Sequence, residues 1–498
     1  MTRRNLHINL VGRRNLGQQI YRYVRQAILD GLLEPADVLP STRQLAAQLE
    51  VSRTTVGTAY DRLMAEGLVR GRAGVGTVVS PGRSMKMRMV TRSSPLKPAR
   101  LWTTGLPTQQ ADAADAAYNL RPGIPDPHLF PFATWRSLVA RHTNQKTLPG
   151  RPADPAGQLR LREALVQHLG LARGIRTEPP DVFVTDSARQ ALELVARVLL
   201  EPGDAVAVEE PGDRTVKLLF ASLGIRTIPI PIDDEGVVVE AIPPGVRAAY
   251  VRAARQLPLG MALSIDRRHA LLDWAVAADG VIIEDDCGGQ LQYAPRPPSP
   301  LYALDDNART IHLGSLRCLM LSGLGVGYLV APAPLHGALR RAKQISEPYQ
   351  STVLQLAVAA FIDEGHLARQ LRRVRSIYAE RRQLLDDASR RLDRYARRSS
   401  STTGLDLTMV FTDHHVDDVK ISRRALQLGV ELVALSELAT SDQLSGLLLG
   451  YGALPAENID DAVERLQRAV ESVVPAEELH KNRSIHAGQW TRPGGPDY

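Results

Sequence analysis

The stretch His312-Leu-Gly-Ser-Leu-Arg-Cys318-Leu-Met-Leu-Ser-Gly-Leu-Gly325-Val-Gly-Tyr328 joins two apolar runs, Thr310-Ile-His-Leu313 and the segment from Gly325 to Val330. Both have the length and composition of buried strands. Working outward, similar runs alternate with helical patterns: Val182-Phe-Val-Thr185, a helix over 188–200, Ala205-Val-Ala-Val208, a helix over 213–223, Ala249-Tyr-Val251, a helix over 265–277 and Val281-Ile-Ile283. Continuous apolar strands separated by helices predict an α/β domain whose parallel or mixed sheet is covered on both faces. The opening stretch holds Cys318, one of two cysteines, and no lysine. The chain has seven lysines, none of them between Lys217 and Lys343.

The chain has 498 residues, 44% hydrophobic and 23% charged, which suits a globular protein of two or more domains and excludes disordered and fibrous classes. No run of about 18 uninterrupted apolar residues is present, and Met-Thr-Arg-Arg-Asn at the start has no apolar segment behind it. Neither a membrane partner nor secretion is expected, and a cytoplasmic location follows. Two cysteines cannot form a disulfide framework, in keeping with a reducing compartment. Charge is uneven: residues 1–100 hold 17 Lys and Arg against 6 Asp and Glu, a net of +11, so a chain of total charge +7 leaves −4 for the remainder. A small basic module on a slightly acidic body fits a nucleic-acid reader joined to a sensing domain.

The basic module has a helical order of its own. Leu16, Ile20, Val24, Ala27, Ile28 and Leu32 recur at helical spacing and predict a first helix over 15–32. Ser41 with Gln44 three residues on is a capping-box pattern, starting a second helix that runs to about Glu50. Ser52 can cap a third, with Val56, Ala59, Tyr60 and Leu63 inward and Arg53, Thr54, Thr55 and Thr58 near its exposed start. Val69-Arg70-Gly71-Arg72, then Gly74-Val-Gly76-Thr77-Val78-Val79, reads as two short strands about a glycine turn, a wing. From Pro81 to Ala117 the chain is rich in Ser, Pro, Thr, Gln and Ala without a sustained period, and reads as a linker. A flexible coil of that length reaches roughly 30 to 36 Å. Residues 476–498 are expected to be a disordered tail.

Residues 14–80, especially Leu39-Pro-Ser-Thr-Arg43, Val51-Ser-Arg53-Thr-Thr-Val56, Glu66-Gly67 and Gly74-Val-Gly76-Thr77, resemble the GntR winged helix-turn-helix. The resemblance implies a double-stranded DNA partner, touched by Arg43, Arg53 and the glycine wing at Gly76. Arginine forks suit phosphate or the O6/N7 edge of guanine, and hydroxyls at Ser41, Thr54 and Thr55 suit phosphate or base edges. Arg70 and Arg72 would track the backbone. Beyond the linker, Gly123-Ile-Pro-Asp126, Leu129-Phe-Pro131, Asp154-Pro-Ala-Gly157, Glu209-Glu-Pro211, Gln256-Leu-Pro258-Leu-Gly260 and Glu284-Asp285-Asp286 resemble landmarks of the fold-type I aminotransferase-like domain of MocR regulators. The opening stretch is similar to that family's YxGTxSKxLxPxLRxGY, in register through Gly314, Gly323, Gly327 and Tyr328. The register puts Cys318 where the Schiff-base lysine belongs and Gly325 where an arginine belongs.

Other positions implied by the resemblance depart as well. The phosphate turn reads Thr185-Asp-Ser187-Ala-Arg189-Gln190, with Ser187 for a glycine and Arg189 for a glutamine. Asp213 stands for the tyrosine that stacks on the ring, Arg255 for a histidine, and Cys287 for the tyrosine on the cofactor phenolate. Asp285, the partner of the pyridinium nitrogen, is kept. A thiol cannot form the imine that holds pyridoxal phosphate, so no cofactor is expected, and no metal. Two readings of the replacements stand. One arginine of Arg189, Arg255, Arg317, Arg252 and Arg214 plugs the vacated volume and pairs with Asp285 or Glu284; or these arginines bind a small anionic effector. Cys287 and Cys318 would both face the pocket, on backbones expected to lie beyond disulfide reach, about 7 Å between Cα atoms.

The expectation is a DNA-binding transcriptional regulator of MocR/GntR type and no enzyme: winged helix over 1–80, linker over 81–117, an aminotransferase-like dimerisation and effector domain over 118–475, and a homodimer by resemblance. The alternative is a pyridoxal-phosphate-dependent aminotransferase with a DNA-binding appendage.

Overall fold

The computed structural model describes residues 8, 10, 12, 15–80, 97–103, 116–144, 154–293, 298–347, 350–399, 403–438 and 444–474. Residues 81–96 and 104–115 of the expected linker and the whole expected tail lie outside them. The chain divides into two units, Met1–Thr103 and Thr104–Tyr498.

In the first unit, α1 (Leu16–Leu29), α2 (Thr42–Gln48) and α3 (Arg53–Ala65) precede a hairpin of β1 (Val69–Arg72) and β2 (Gly76–Val79). Helix α1 stops earlier than its periodicity predicts. Asp30 caps it and Gly31 turns away at φ +75°, so Leu32 is 63% exposed and Leu33 takes the buried place. Ser41 accepts the Gln44 N–H while the Gln44 side chain takes the Ser41 N–H, a complete capping box. Ser52 accepts the Thr55 N–H and starts α3. Each such cap is worth about 1 kcal/mol. Ile20, Val24, Leu45, Val56, Tyr60 and Leu63 are buried together, and the Tyr60 hydroxyl donates to the Pro40 carbonyl. The hairpin pairs Val69 with Val79 and Arg72 with Gly76.

The second unit begins with β3 (Tyr118–Asn119), α4 (Phe132–His142) and α5 (Leu159–Arg173). Then come β4 (Val182–Thr185), α6 (Ala188–Leu199), β5 (Ala205–Glu210), α7 (Arg214–Ser222), β6 (Arg226–Asp233), β7 (Gly236–Val237) and β8 (Ala248–Val251). Next are α8 (Ile265–Ala277), β9 (Val281–Asp285), α9 (Leu301–Leu304), β10 (Thr310–Ser315), β11 (Gly327–Val330), α10 (His336–Ser346), α11 (Thr352–Asp363) and α12 (His366–Ser389). The last part holds β12 (Ala396–Arg398), β13 (Asp406–Phe411), α13 (Asp418–Gln427), β14 (Val430–Glu431), β15 (Val433–Ala434), α14 (Leu435–Leu438), β16 (Gly446–Gly450) and α15 (Ile459–Val473).

Eight strands form one sheet in the order β4-β11-β10-β9-β8-β5-β6-β7. Strands β10, β9, β8, β5 and β6 run parallel, and β11 lies antiparallel between β10 and β4. Alternation along β8 shows why the strands are apolar throughout. Ala248 and Tyr250 pack with α6 and α7 residues such as Val195 and Phe220, whereas Ala249 and Val251 pack with Leu271 and Ala275 of α8. At Gly314 a Cβ would come 2.2 Å from the Tyr328 ring of β11, so glycine there lets the ring cross β10. A smaller sheet, β12-β13-β16-β15, follows, and β3 pairs with β14.

Because β4 and the parallel strands point the same way, Thr185, Glu210, Val251, Asp285 and Ser315 end at one edge. In α/β sheets that edge is where ligands sit.

Candidate functional site

In the first unit Arg43, Arg53 and Thr54 lie exposed at the starts of α2 and α3, and Arg70, Arg72 and Gly76 are exposed on the wing. Arg53 makes one long contact, Nε to the Thr42 hydroxyl at 3.4 Å. Two hydroxyls serve the fold instead of standing free. Ser41 is tied into the capping box, and the half-buried Thr55 hydroxyl lies 2.7 Å from that of Ser52. Gly76 adopts φ +111°, a conformation that side chains rarely take, which keeps the wing turn tight.

In the second unit the edge of the sheet gathers the expected pocket residues. Asp285 at the end of β9 accepts from the Tyr250 hydroxyl at 2.7 Å and from the Cys287 N–H at 2.9 Å. Arg252 Nε lies 3.9 Å from the same carboxylate, and its NH2 donates to the Cys287 carbonyl at 3.1 Å. Of the five arginines considered, Arg252 is the one that reaches Asp285. Arg255 forms an ion pair with Asp406, Arg189 with Asp213 at 3.3 Å, and Arg317 donates to the Gly123 carbonyl at 3.3 Å. Arg189 and Asp213 therefore answer one another, and Asp213 also caps α7 through the Thr215 N–H.

Glu284 takes no arginine. It accepts from the Leu301 and Tyr302 N–H groups and lies 3.1 Å from His312 Nδ1. Asp286 is held by Arg173 through two contacts of 2.8 and 2.9 Å. Burial raises the Glu209 carboxyl to about 7, and the Arg252 charge opposes that rise.

Cys287 and Cys318 stand past the strand ends at this edge, two residues after β9 and three after β10. The Cys318 thiol lies 3.9 Å from the Gly123 carbonyl. Tyr250, Arg173, Glu209 and the Gly123 carbonyl were not singled out in the sequence as pocket groups. Their one signal is position, since Tyr250 and Glu209 lie near strand ends facing the same edge. Elsewhere, Asp413, His414 and His415 bring three ligand atoms within 4.8 Å of one another after β13, a grouping the sequence reading did not anticipate. Among the described residues no helix is long and apolar enough to cross a membrane.

This edge carries donors suited to an anionic group. Arg252 Nε and Arg255 Nε are buried with no hydrogen-bond partner among the described residues, and α6 opens onto the edge behind its cap, Ser187. Ser187 and the α6 N-terminus would hold a phosphate, and Asp285 a pyridine nitrogen.

Residues 16–79 match the family described as bacterial regulatory proteins, gntR family, and residues 150–466 match aminotransferase class I and II. The chain is 31% identical over 462 residues to the protein named "Probable rhizopine catabolism regulatory protein MocR" of Rhizobium meliloti, covering 91% of this chain and 93% of that one. It is 34% identical over 369 residues to the HTH-type pyridoxine biosynthesis transcriptional regulator PdxR of Corynebacterium glutamicum, covering 74% and 78%. Among solved structures, the Pyrococcus horikoshii kynurenine aminotransferase in complex with PMP is similar at TM-score 0.66 and 26% identity, over 73% of this chain and 92% of that one. The α-aminoadipate aminotransferase LysN of Thermus thermophilus, complexed with N-(5'-phosphopyridoxyl)-L-leucine, is similar at TM-score 0.66 and 26% identity, over 71% and 92%.

These likenesses correct the expectation of no cofactor: the large domain is of a pyridoxal-phosphate-binding family. The inference from Cys318 went too far, because an imine is one of several attachments. Phosphate and ring would be held by other groups, and of the family's ring partners Asp285 is kept. A winged helix-turn-helix and an aminotransferase-like domain thus share one polypeptide, and the chain belongs to the MocR-type transcriptional regulators of the GntR family.

Proposed function

We propose that the larger unit of this DNA-binding regulator pairs two chains and senses an anionic effector, and that it does not carry out transamination. The observation that carries this reading is Cys318 at the head of the pocket, three residues beyond β10, where the family resemblance calls for an amine. Pyridoxal phosphate, when bound, supplies an aldehyde and an electron sink for amine chemistry. What this chain's residues supply is recognition: Asp285 as an acceptor, Arg252 and Arg255 as buried donors, and Ser187 with the α6 N-terminus for a phosphate. A general base for moving a substrate proton has no lysine nitrogen there to act from. Lys343, the next lysine in sequence, lies in α10 and reaches Glu347 at 3.4 Å.

One relative is named for pyridoxine biosynthesis, which makes pyridoxal phosphate itself the first effector to try. DNA contact is assigned to Arg43, Arg53, Thr54, Arg70, Arg72 and Gly76, with the winged helix over 1–80 and the effector domain over 118–475, and the site of action is the cytoplasm. To test the catalytic half of this reading, purified protein is mixed with pyridoxal phosphate, an amino acid panel and 2-oxoglutarate. The expected result is glutamate formation no faster than with free pyridoxal phosphate. Multiple turnovers per chain would contradict it.

A further inference from the structure

Three consecutive residues, Asp413-His414-His415, stand between β13 and α13. In an extended chain neighbouring side chains point to opposite faces. Here the backbone turns back instead. The Val416 N–H donates to the Asp413 carbonyl at 3.3 Å, closing a four-residue turn, and the Asp413 carboxylate accepts the His415 N–H at 2.9 Å. The turn swings the two imidazoles together, with ring centroids 3.9 Å apart and planes at 41°. One donor atom from each of the three side chains then lies within 4.8 Å of the others. Both imidazoles are exposed and the carboxylate is half-buried.

Both flanks of the turn are anchored. The Thr412 N–H and hydroxyl each donate to the Tyr395 carbonyl, at 2.9 and 3.1 Å. On the far side the Ser445 hydroxyl donates to the Val416 carbonyl at 2.5 Å, and Asp417 caps α13 through the Lys420 N–H at 2.8 Å. The backbone beneath the three side chains is thus held by contacts that owe nothing to an ion.

We infer that Asp413, His414 and His415 form a binding site for a divalent transition cation of the zinc class. Imidazole nitrogen beside carboxylate oxygen is a donor set such ions accept, whereas calcium and magnesium take oxygen ligands. Bonds of about 2.0 to 2.2 Å would hold the donors roughly 3.4 Å apart around a tetrahedral ion, so rotations of exposed side chains close the set. The hydrogen bond from the His415 N–H orients the Asp413 carboxylate, as outer-shell partners of ligating groups do. Three protein donors leave at least one coordination position to water, the pattern of open sites and not of closed structural ones.

The test uses zinc itself. Full-length protein is stripped with a chelator, freed of it, and equilibrated by dialysis with zinc chloride over a range of free concentrations, with bound zinc per chain read by atomic emission. The expected result is one zinc per chain that excess magnesium does not displace. His414→Gln and His415→Gln should each weaken binding at least about tenfold, since outer-shell groups alone are worth about 10- to 100-fold. Thermal unfolding of the metal-free variants should match that of the unaltered chain, because both imidazoles are exposed. His269→Gln, which removes an exposed histidine of α8, should leave zinc binding unchanged. A chain that takes up no zinc, zinc displaced by magnesium, or uptake that neither turn variant diminishes would overturn the inference. The result is separate from the effector reading, because the turn leaves the smaller sheet and none of its residues belongs to the edge that carries Asp285.

Discussion

Arg53→Ala is expected to remove specific DNA binding at physiological salt while leaving the protein folded. Arg53 opens α3, the helix whose N-terminal end enters the major groove in winged helix-turn-helix proteins, and its side chain is exposed. A bidentate arginine contact to guanine discriminates by about 1 to 3 kcal/mol. On a dimer the contact is lost twice, about 2 to 6 kcal/mol, which erases most of the margin of about 4 to 10 kcal/mol between specific and non-specific binding. The fold loses little, because the side chain's contact is the long one to the Thr42 hydroxyl. Fluorescence anisotropy with an operator fragment, beside a thermal melt, checks both halves. Unchanged affinity would remove α3 from the interface.

The second large effect concerns stability. Arg173 of α5 grips Asp286 with two hydrogen bonds, and both side chains are buried. In Arg173→Ala, the nearest remaining cation-capable group is His312 Nε2, 4.0 Å from the carboxylate. Breaking a buried pair from one side costs about 3 to 5 kcal/mol, against a total of about 5 to 15 kcal/mol for a typical domain. The variant should therefore unfold at much lower urea, or fail to accumulate. Burial already pushes the Asp286 carboxyl up despite Arg173, so the variant accommodates the group by protonating it, and its stability should fall as pH rises. The sign follows from a folded-state value above the unfolded one: such a group stabilises below the unfolded value and loses that contribution as pH passes the folded one. An unfolding free energy from urea within about 0.5 kcal/mol of the unaltered protein would contradict the assignment.

The fold was legible where pattern is local. Ser41 with Gln44, Ser52 before α3 and the apolar set Val56, Ala59, Tyr60 and Leu63 all read directly from spacing, and the six strands named between Val182 and Val330 stood within a few residues of their observed ends, whereas β6 and β7, on the edge of the sheet, were not read. Leu32 was misread because periodicity continues past the point where Asp30 and Gly31 end α1. The pocket was legible by position and not by pairing. Nothing in the sequence near Arg255 announces Asp406, about 150 residues on, nor does Arg189 name Asp213. Arg252 was one of five arginines at the edge, and which one reached Asp285 depended on how β8 and β9 align. The cofactor expectation failed for a chemical reason: the missing amine at Cys318 was allowed to speak for phosphate and ring contacts that other residues make.

The central claim is that this chain reads DNA through its first unit. Genomic fragments are incubated with the full-length protein, captured, and sequenced, with Arg53→Ala carried in parallel and the affinity of the enriched fragment measured across salt. The account predicts enrichment of a recurrent site by the unaltered chain, none by the variant, and affinity that falls linearly on logarithmic axes with a slope near −0.9 per phosphate contacted. Fragments recovered without a shared site, or the same site recovered equally by Arg53→Ala, would contradict it.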